Sequence, residues 1–215
     1  MNRDFIIIVG AQGYGKSFWA KLYTRLTSRL LVYDFKLSYP NVIFRNMTEE
    51  FFDSIINNKN NFRIGSGNDN DIEHLSNLSY AAGNCTLVIE ECGTVFDRGQ
   101  ILEAWAKRNI FSGREQGANL IFLAQRATSI PKDIRSQANR IISFMQHDPD
   151  DIHALTSLIG RKYHFEIPKL PILSCIDWKN GQVSQYSILN DAKLYYPRIE
   201  KNEPRNNVSD MQSMA

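Results

Sequence analysis

Residues Gly10-Ala11-Gln12-Gly13-Tyr14-Gly15-Lys16-Ser17 follow the spacing G-x-x-x-x-G-K-[ST]. Each residue type has a physical task. Gly10 and Gly15 reach backbone angles closed to other residues, so the loop wraps an oxyanion with its own N–H groups at a helix N-terminus. Lys16 brings a point charge to the β- and γ-phosphates of a nucleotide, and the Ser17 hydroxyl is a ligand for Mg²⁺. With Phe18, the stretch Gly10–Phe18 forms a candidate nucleotide-binding segment, and the expected ligands are ATP and Mg²⁺.

Glu90-Glu91 ends a separate apolar run, Cys85-Thr86-Leu87-Val88-Ile89. Two adjacent carboxylates at a strand end repel each other and call for a cation or for solvent. Beside a phosphate loop, the first suits the Mg²⁺ shell and the second suits activation of the attacking water. Gln125 ends another apolar run, Asn119–Ala124, and is followed by Arg126. A polar side chain there can sense a γ-phosphate or orient water.

These residues need elements to position them. Phe5-Ile6-Ile7-Ile8-Val9 is continuous, mostly β-branched and stopped by Gly10, the pattern of a strand buried on both faces. A helix is predicted next, with Phe18, Trp19, Leu22 and Leu26 on one face. Further strands are predicted at 30–35, 62–64, 85–89, 119–124 and 140–145, with loops at 57–61 and 65–71. Thr48 is a plausible cap for a helix that begins at Glu49. A helix is predicted over 101–111, with Ile101, Leu102 and Trp105 turned inward. Asp148-Pro149-Asp150-Asp151 opens another, which should bury Ile152, Leu155 and Leu158 and stop at Gly160. Strands and helices alternate from residue 5 to about 160, which predicts an α/β domain with a mainly parallel sheet. Asn180-Gly181 between 173–178 and 182–188 predicts a β-hairpin. A single domain over 1–199 is expected, with a flexible polar tail over 200–215.

Composition narrows the classes. The chain has 215 residues, 43% hydrophobic and 22% charged, enough for a real core. No apolar run approaches the ~18–20 residues a membrane helix needs, so no transmembrane segment is expected. Cys85, Cys92 and Cys175 form an odd, widely spaced set that predicts reduced thiols. His74, His147, His153 and His164 show no metal spacing. A net charge of +2 is too small to signal nucleic-acid binding by itself. Any DNA contact must come from local groups such as Arg98, Lys107, Arg108 and Lys132, or from several subunits together.

Several stretches in this order resemble one family: Gly10–Ser17, Tyr33-Asp34, Leu87–Glu91, Gly113-Arg114 through Gln125-Arg126, Ile130-Pro131, and Asn139–Ile142. They resemble the FtsK/HerA superfamily of DNA-pumping P-loop ATPases over roughly residues 4–160. The likeness is strongest to the compact genome-packaging ATPases of tailless, membrane-containing icosahedral viruses, typified by the tectivirus enzyme. The resemblance implies a RecA-like core with a C-terminal hairpin, working as a ring of five or six copies that drives double-stranded DNA into a preformed capsid. It implies capsid or packaging-vertex proteins as partners, and the host cytoplasm or the virion's packaging vertex as the place of work. By position it gives Lys16 and Ser17 the nucleotide and metal roles, Glu90 the metal shell, Glu91 the base and Gln125 the sensor. It gives Arg114 the arginine that reaches a neighbour's γ-phosphate, with Arg135 and Arg140 as weaker candidates. Many relatives carry Asp-Glu where this chain has Glu90-Glu91, so either carboxylate remains open as the base. Two other classes stay open: a small phosphotransferase, and a nucleotide-binding assembly factor with negligible turnover.

Overall fold

The computed structural model describes residues 4–57, 61–96 and 104–189. Arg98, Ile101, Leu102, part of the 57–61 loop, and everything beyond residue 189, including the 200–215 tail, lie outside the described residues.

In chain order the elements are β1 (Phe5–Val9), α1 (Lys16–Thr24), β2 (Arg29–Tyr33), β3 (Ile43–Phe44), α2 (Glu49–Asn57), β4 (Phe62–Ser66), α3 (Ile72–Ala82) and β5 (Thr86–Ile89). They continue with α4 (Cys92–Val95), α5 (Ala104–Lys107), β6 (Asn119–Ala124), α6 (Lys132–Gln137), β7 (Arg140–Ser143), α7 (Pro149–Ile159), β8 (Ser174–Lys179) and β9 (Gln182–Ser187). The strands form a nine-stranded sheet in the order β3-β4-β2-β5-β6-β1-β7-β8-β9. Every pair from β3 to β7 is parallel, and β8 and β9 add on antiparallel. This is the expected α/β architecture.

The continuous apolar strands are buried on both sides because successive residues feed two different cores. Phe5, Ile7 and Val9 pack in one core with Leu31, Phe122, α3, α6 and α7. Ile6 and Ile8 pack in the other with Val32, Leu123, Phe144 and the α1 residues Trp19 and Ala20.

Strand order decides the chemistry. The Gln125 strand, β6, lies between β1 and β5, the strands that lead into the phosphate loop and the acidic pair. The register pairs Val9 with Ala124 and Ile89 with Phe122. Gly10 and Gln125 therefore leave the sheet side by side, with Glu90 and Glu91 one strand further on. All three chain segments exit at the carboxyl ends of parallel strands, where ligands bind in open α/β sheets.

Two supports fix this edge. Asp148 caps α7 through Oδ1, which accepts from the N–H groups of Asp150 (2.9 Å) and Asp151 (3.3 Å). Arg126, next to Gln125, pairs with Asp148 (2.7 Å) and with the buried Asp151 (3.0 Å), which ties the end of β6 to α7. At the hairpin, Asn180 and Gly181 both have positive φ (49° and 87°), as a tight two-residue turn between twisted strands requires. Arg140 of β7 forms a two-pronged ion pair with Asp177 of β8 (3.0 and 2.7 Å), with the Trp19 ring 5.0 Å away. All three cysteines are buried free thiols.

Some local expectations change. Leu26 falls beyond the end of α1 and is 82% exposed, because the chain turns at Thr24 with a Thr27 N–H to Thr24 O bond. The strand predicted to reach Phe35 ends at Tyr33, and Phe35 is exposed. The loop expected from Gly65 starts later, since β4 runs through Ser66, and Asp69–Asp71 forms a single 3₁₀ turn. In the described part of the helix predicted over 101–111, α5 is continued by a wider π turn, Arg108–Ser112, inside which Asn109 donates to the Ser76 carbonyl, and the Trp105 side chain lies outside what is described. Leu158 is half-buried rather than buried. Thr48 caps α2, with its hydroxyl 3.4 Å from the Phe51 N–H.

Candidate nucleotide site

The loop between β1 and α1 owes its path to its glycines. Gly10 has φ 152°, and a Cβ there would lie 2.5 Å from the Phe144 Cβ. Gly15 has φ 112°, and a Cβ there would lie 2.7 Å from the Leu173 side chain. Any other residue meets an unfavourable dihedral at both positions, and at Gly10 it also meets the Cβ and backbone of Phe144, which cannot swing aside. The loop is held from outside by two backbone bonds, Ala11 N–H to Met145 O (2.8 Å) and Leu173 N–H to Tyr14 O (3.1 Å).

A cavity of about 480 Å³ opens above it. Gln12, Gly13, Gly15, Lys16, Ser17 and Phe18 line one wall. Lys36, Glu91 and Gln125 line the side reached from β2, β5 and β6, and Leu173 and Leu189 line the side reached from the hairpin. Thus Lys16, Ser17, Phe18, Glu91 and Gln125, predicted from separate stretches of sequence, meet in one place.

Lys16 is 7% exposed, and its ammonium donates to the carbonyls of Gly10 (2.7 Å) and Ala11 (3.2 Å). Burial pushes its pKa down, while Glu91 and then Glu90 push it up. A desolvated cation of this kind favours an incoming anion.

Glu90 is buried behind the cavity at 5% exposure. Its Oε2 accepts from the Ser17 hydroxyl (2.9 Å) and its Oε1 from the Tyr39 hydroxyl (2.9 Å). Burial raises its pKa above the usual carboxylate range, and the two hydroxyls oppose that rise by favouring the ionised form. Glu91 differs from its neighbour. It has φ 52° and ψ 44°, a left-handed conformation that costs a non-glycine residue about 1 kcal/mol, and it faces the cavity. Strain of this kind collects at functional sites. The backbone kink thus sends two adjacent carboxylates into different surroundings.

Among the described residues no cluster of three or more His, Cys, Asp or Glu could hold a metal. Mg²⁺ does not need one, because it keeps several waters and binds through one or two protein oxygens plus phosphates. The Ser17 hydroxyl and the Glu90 carboxylate, already in contact at the cavity edge, are a donor set of that kind.

Arg114 lies elsewhere. It is exposed at the amino ends of the strands, in a cleft with Asp4, Phe5, Phe111 and Lys179. The five residues of β1 separate the two edges by roughly 16 Å. Arg114 is therefore no part of its own chain's cavity. Of the weaker candidates, Arg140 is committed to Asp177, and Arg135 is half-buried with one bond to the Ala127 carbonyl. Lys107, Arg108 and Lys132 are exposed, the Arg108 guanidinium 5.7 Å from the Tyr80 ring.

Sequence reasoning missed Tyr39, Lys36, Leu173 and Leu189. Tyr39 and Lys36 sit in the loop after β2, where Phe35-Lys36-Leu37-Ser38-Tyr39 alternates apolar and polar types without forming a strand. The leucines reach the cavity only because β8 and β9 return to the sheet. The Asp34-x-Lys36 spacing directly after a buried strand is the one local signal that could have pointed to this loop.

The fold and this cavity together define a P-loop NTPase fold. Among solved structures the chain is similar to the genome packaging NTPase B204 from Sulfolobus turreted icosahedral virus 2 in complex with AMPPCP. That likeness has a TM-score of 0.72 and 18% identity, over 87% of this chain and 99% of that one. It is also similar to the N-terminal domain of zonular occludens toxin from Neisseria meningitidis, with a TM-score of 0.55, 13% identity, and coverage of 91% and 98%. VirB4 of Thermoanaerobacter pseudethanolicus has a TM-score of 0.58 and 10% identity, over 86% of this chain and 89% of that one. No family model and no curated protein sequence matches the chain. Among the described residues no helix is long and apolar enough to cross a membrane.

Proposed function

We propose that the chain is an ATPase that works as a ring and drives double-stranded viral DNA into a preformed capsid. The observation that carries the ATPase reading is the meeting of Lys16, Ser17, Glu91 and Gln125 around one cavity, with Glu90 bonded to Ser17 at its edge. The likeness to a protein described as a genome packaging NTPase supports the DNA-moving part.

On this reading the loop N–H groups and Lys16 bind the β- and γ-phosphates. Ser17 and Glu90 would hold Mg²⁺, which neutralises charge on the phosphate oxygens when bound. Glu91 accepts the proton of the attacking water, and Gln125 orients that water or senses the terminal phosphate. The apolar end at Leu173 and Leu189 suits the nucleobase, and the polar end suits the terminal phosphate. Arg114, remote from its own cavity, would serve the next subunit in the ring. Capsid or packaging-vertex proteins in the host cytoplasm complete the proposed setting.

The test is phosphate release from ATP with and without double-stranded DNA, alongside a mass measurement of the assembly. DNA-stimulated turnover that appears only in a multimer is the expected result. Turnover that transfers phosphate to a nucleoside would favour a phosphotransferase. Nucleotide binding with negligible turnover in the multimer would favour an assembly factor.

A further inference from the structure

The geometry points to Lys36 as a second cation for the nucleotide, one that separates a triphosphate from a diphosphate. This rests on the nucleotide reading of the cavity.

The cavity has a direction. Its leucines come from the β8–β9 side and its polar groups, Lys36, Glu91 and Gln125, from the β2–β5–β6 side. A nucleotide laid across the phosphate loop with its base at the apolar end presents its last phosphate to the polar end. That end also holds a carboxylate, Glu91, which repels a phosphate. Lys16 cannot balance this alone, because it is positioned by the loop carbonyls at the centre of the cradle. Lys36 supplies the other ammonium among the residues that line the cavity.

Its backbone is fixed while its side chain is free to reach. Asp34, 1% exposed, accepts from the Lys36 N–H (3.0 Å), the Ser38 N–H (2.8 Å) and the Ser38 hydroxyl (2.7 Å). Next in the chain, Tyr39 is anchored to Glu90. The loop is therefore braced on both sides of Lys36 by buried polar contacts. Lys36 itself is exposed, with its ammonium 5.2 Å from the Phe35 ring, and it makes no ion pair among the described residues. A diphosphate ends before it reaches this group, and a triphosphate does not.

The experiment measures binding of a non-hydrolysable ATP analogue and of ADP, each with Mg²⁺, to the full chain and to Lys36→Met. A lost charged contact should weaken the triphosphate about tenfold and leave ADP within about twofold. Lys36→Arg should keep the discrimination, and Lys36→Glu should widen the loss. Equal losses for both nucleotides, or no loss in either Lys36→Met or Lys36→Glu, would overturn the assignment. If the unaltered protein binds neither nucleotide, the nucleotide reading of the cavity fails and the role of Lys36 fails with it.

Discussion

The Ser17 hydroxyl donates to Glu90 Oε2 over 2.9 Å, joining the start of α1 to the end of β5 across 73 residues of sequence. The bond places the proposed metal-binding hydroxyl and the buried carboxylate on one spot. Loss of a carboxylate that orients a metal's surroundings typically lowers metal affinity about 10- to 100-fold. Glu90→Gln should therefore need at least about tenfold more Mg²⁺ for half-maximal turnover at saturating ATP. An unchanged Mg²⁺ dependence would remove Glu90 from the metal's shell.

Lys16 and Glu91 should fail in different ways. Lys16→Ala removes a charge from the phosphates, so both nucleotide binding and turnover should fall. Glu91→Gln leaves the cradle intact and removes the proposed proton acceptor, so turnover should fall about 10²- to 10⁴-fold while binding holds. Single-turnover phosphate release and nucleotide titration separate the two. Normal turnover in Glu91→Gln would move the base to another residue.

The parts of this site that follow covalent spacing are legible in the order of the residues. Gly10 to Ser17 is legible because its glycines and Lys16 act within one short stretch, as in the Lys16 bond to the Gly10 carbonyl, and the burial of β1, β5 and β6 follows from unbroken apolar runs. Residues that act through space are not legible in that way. Tyr39 touches Glu90 from 51 positions away, and Leu173 reaches Gly15 only after the hairpin folds back. Leu26 misleads because helical spacing continues past the point where Thr24 ends the helix. The strain at Glu91 has no signature in residue type, since left-handed φ is forced there by where the chain must go.

Tyr39 gives a pH prediction with a definite sign. Turnover on the proposed mechanism needs Glu90 ionised. Burial holds its pKa up, and the Tyr39 hydroxyl is the leading influence that holds it down. Tyr39→Phe removes that hydroxyl, so the Glu90 pKa should climb further. The acid limb of the pH–rate profile should then move to higher pH, with turnover recovering on the alkaline side. Stability without metal should shift in the same sense. A carboxyl raised in the folded state stabilises below its unfolded pKa, and the contribution disappears as pH rises through the folded value. A profile scaled down uniformly, with its acid limb unmoved, would make Tyr39 a packing residue only.

Arg114 is the hardest case, because its own chain offers it no phosphate within reach. An exposed arginine at the amino ends of the strands can serve catalysis only in a neighbour's cavity. Arg114→Ala should then leave folding and nucleotide binding unchanged, since it lines neither the core nor the cradle, yet lower turnover by about 10³-fold or more. The decisive measurement mixes Arg114→Ala with Lys16→Ala. On the proposed mechanism each subunit type would lack one half of a shared site. A ring containing both retains junctions where an intact Lys16 cradle faces an intact Arg114, and turnover should pass through a maximum near equal proportions. Subunit exchange must be shown in the same samples, by mixed-mass species, so that a flat response has one meaning. Exchange without any recovery would place Arg114 outside catalysis and leave its cleft with Asp4 and Lys179 as an ordinary surface feature.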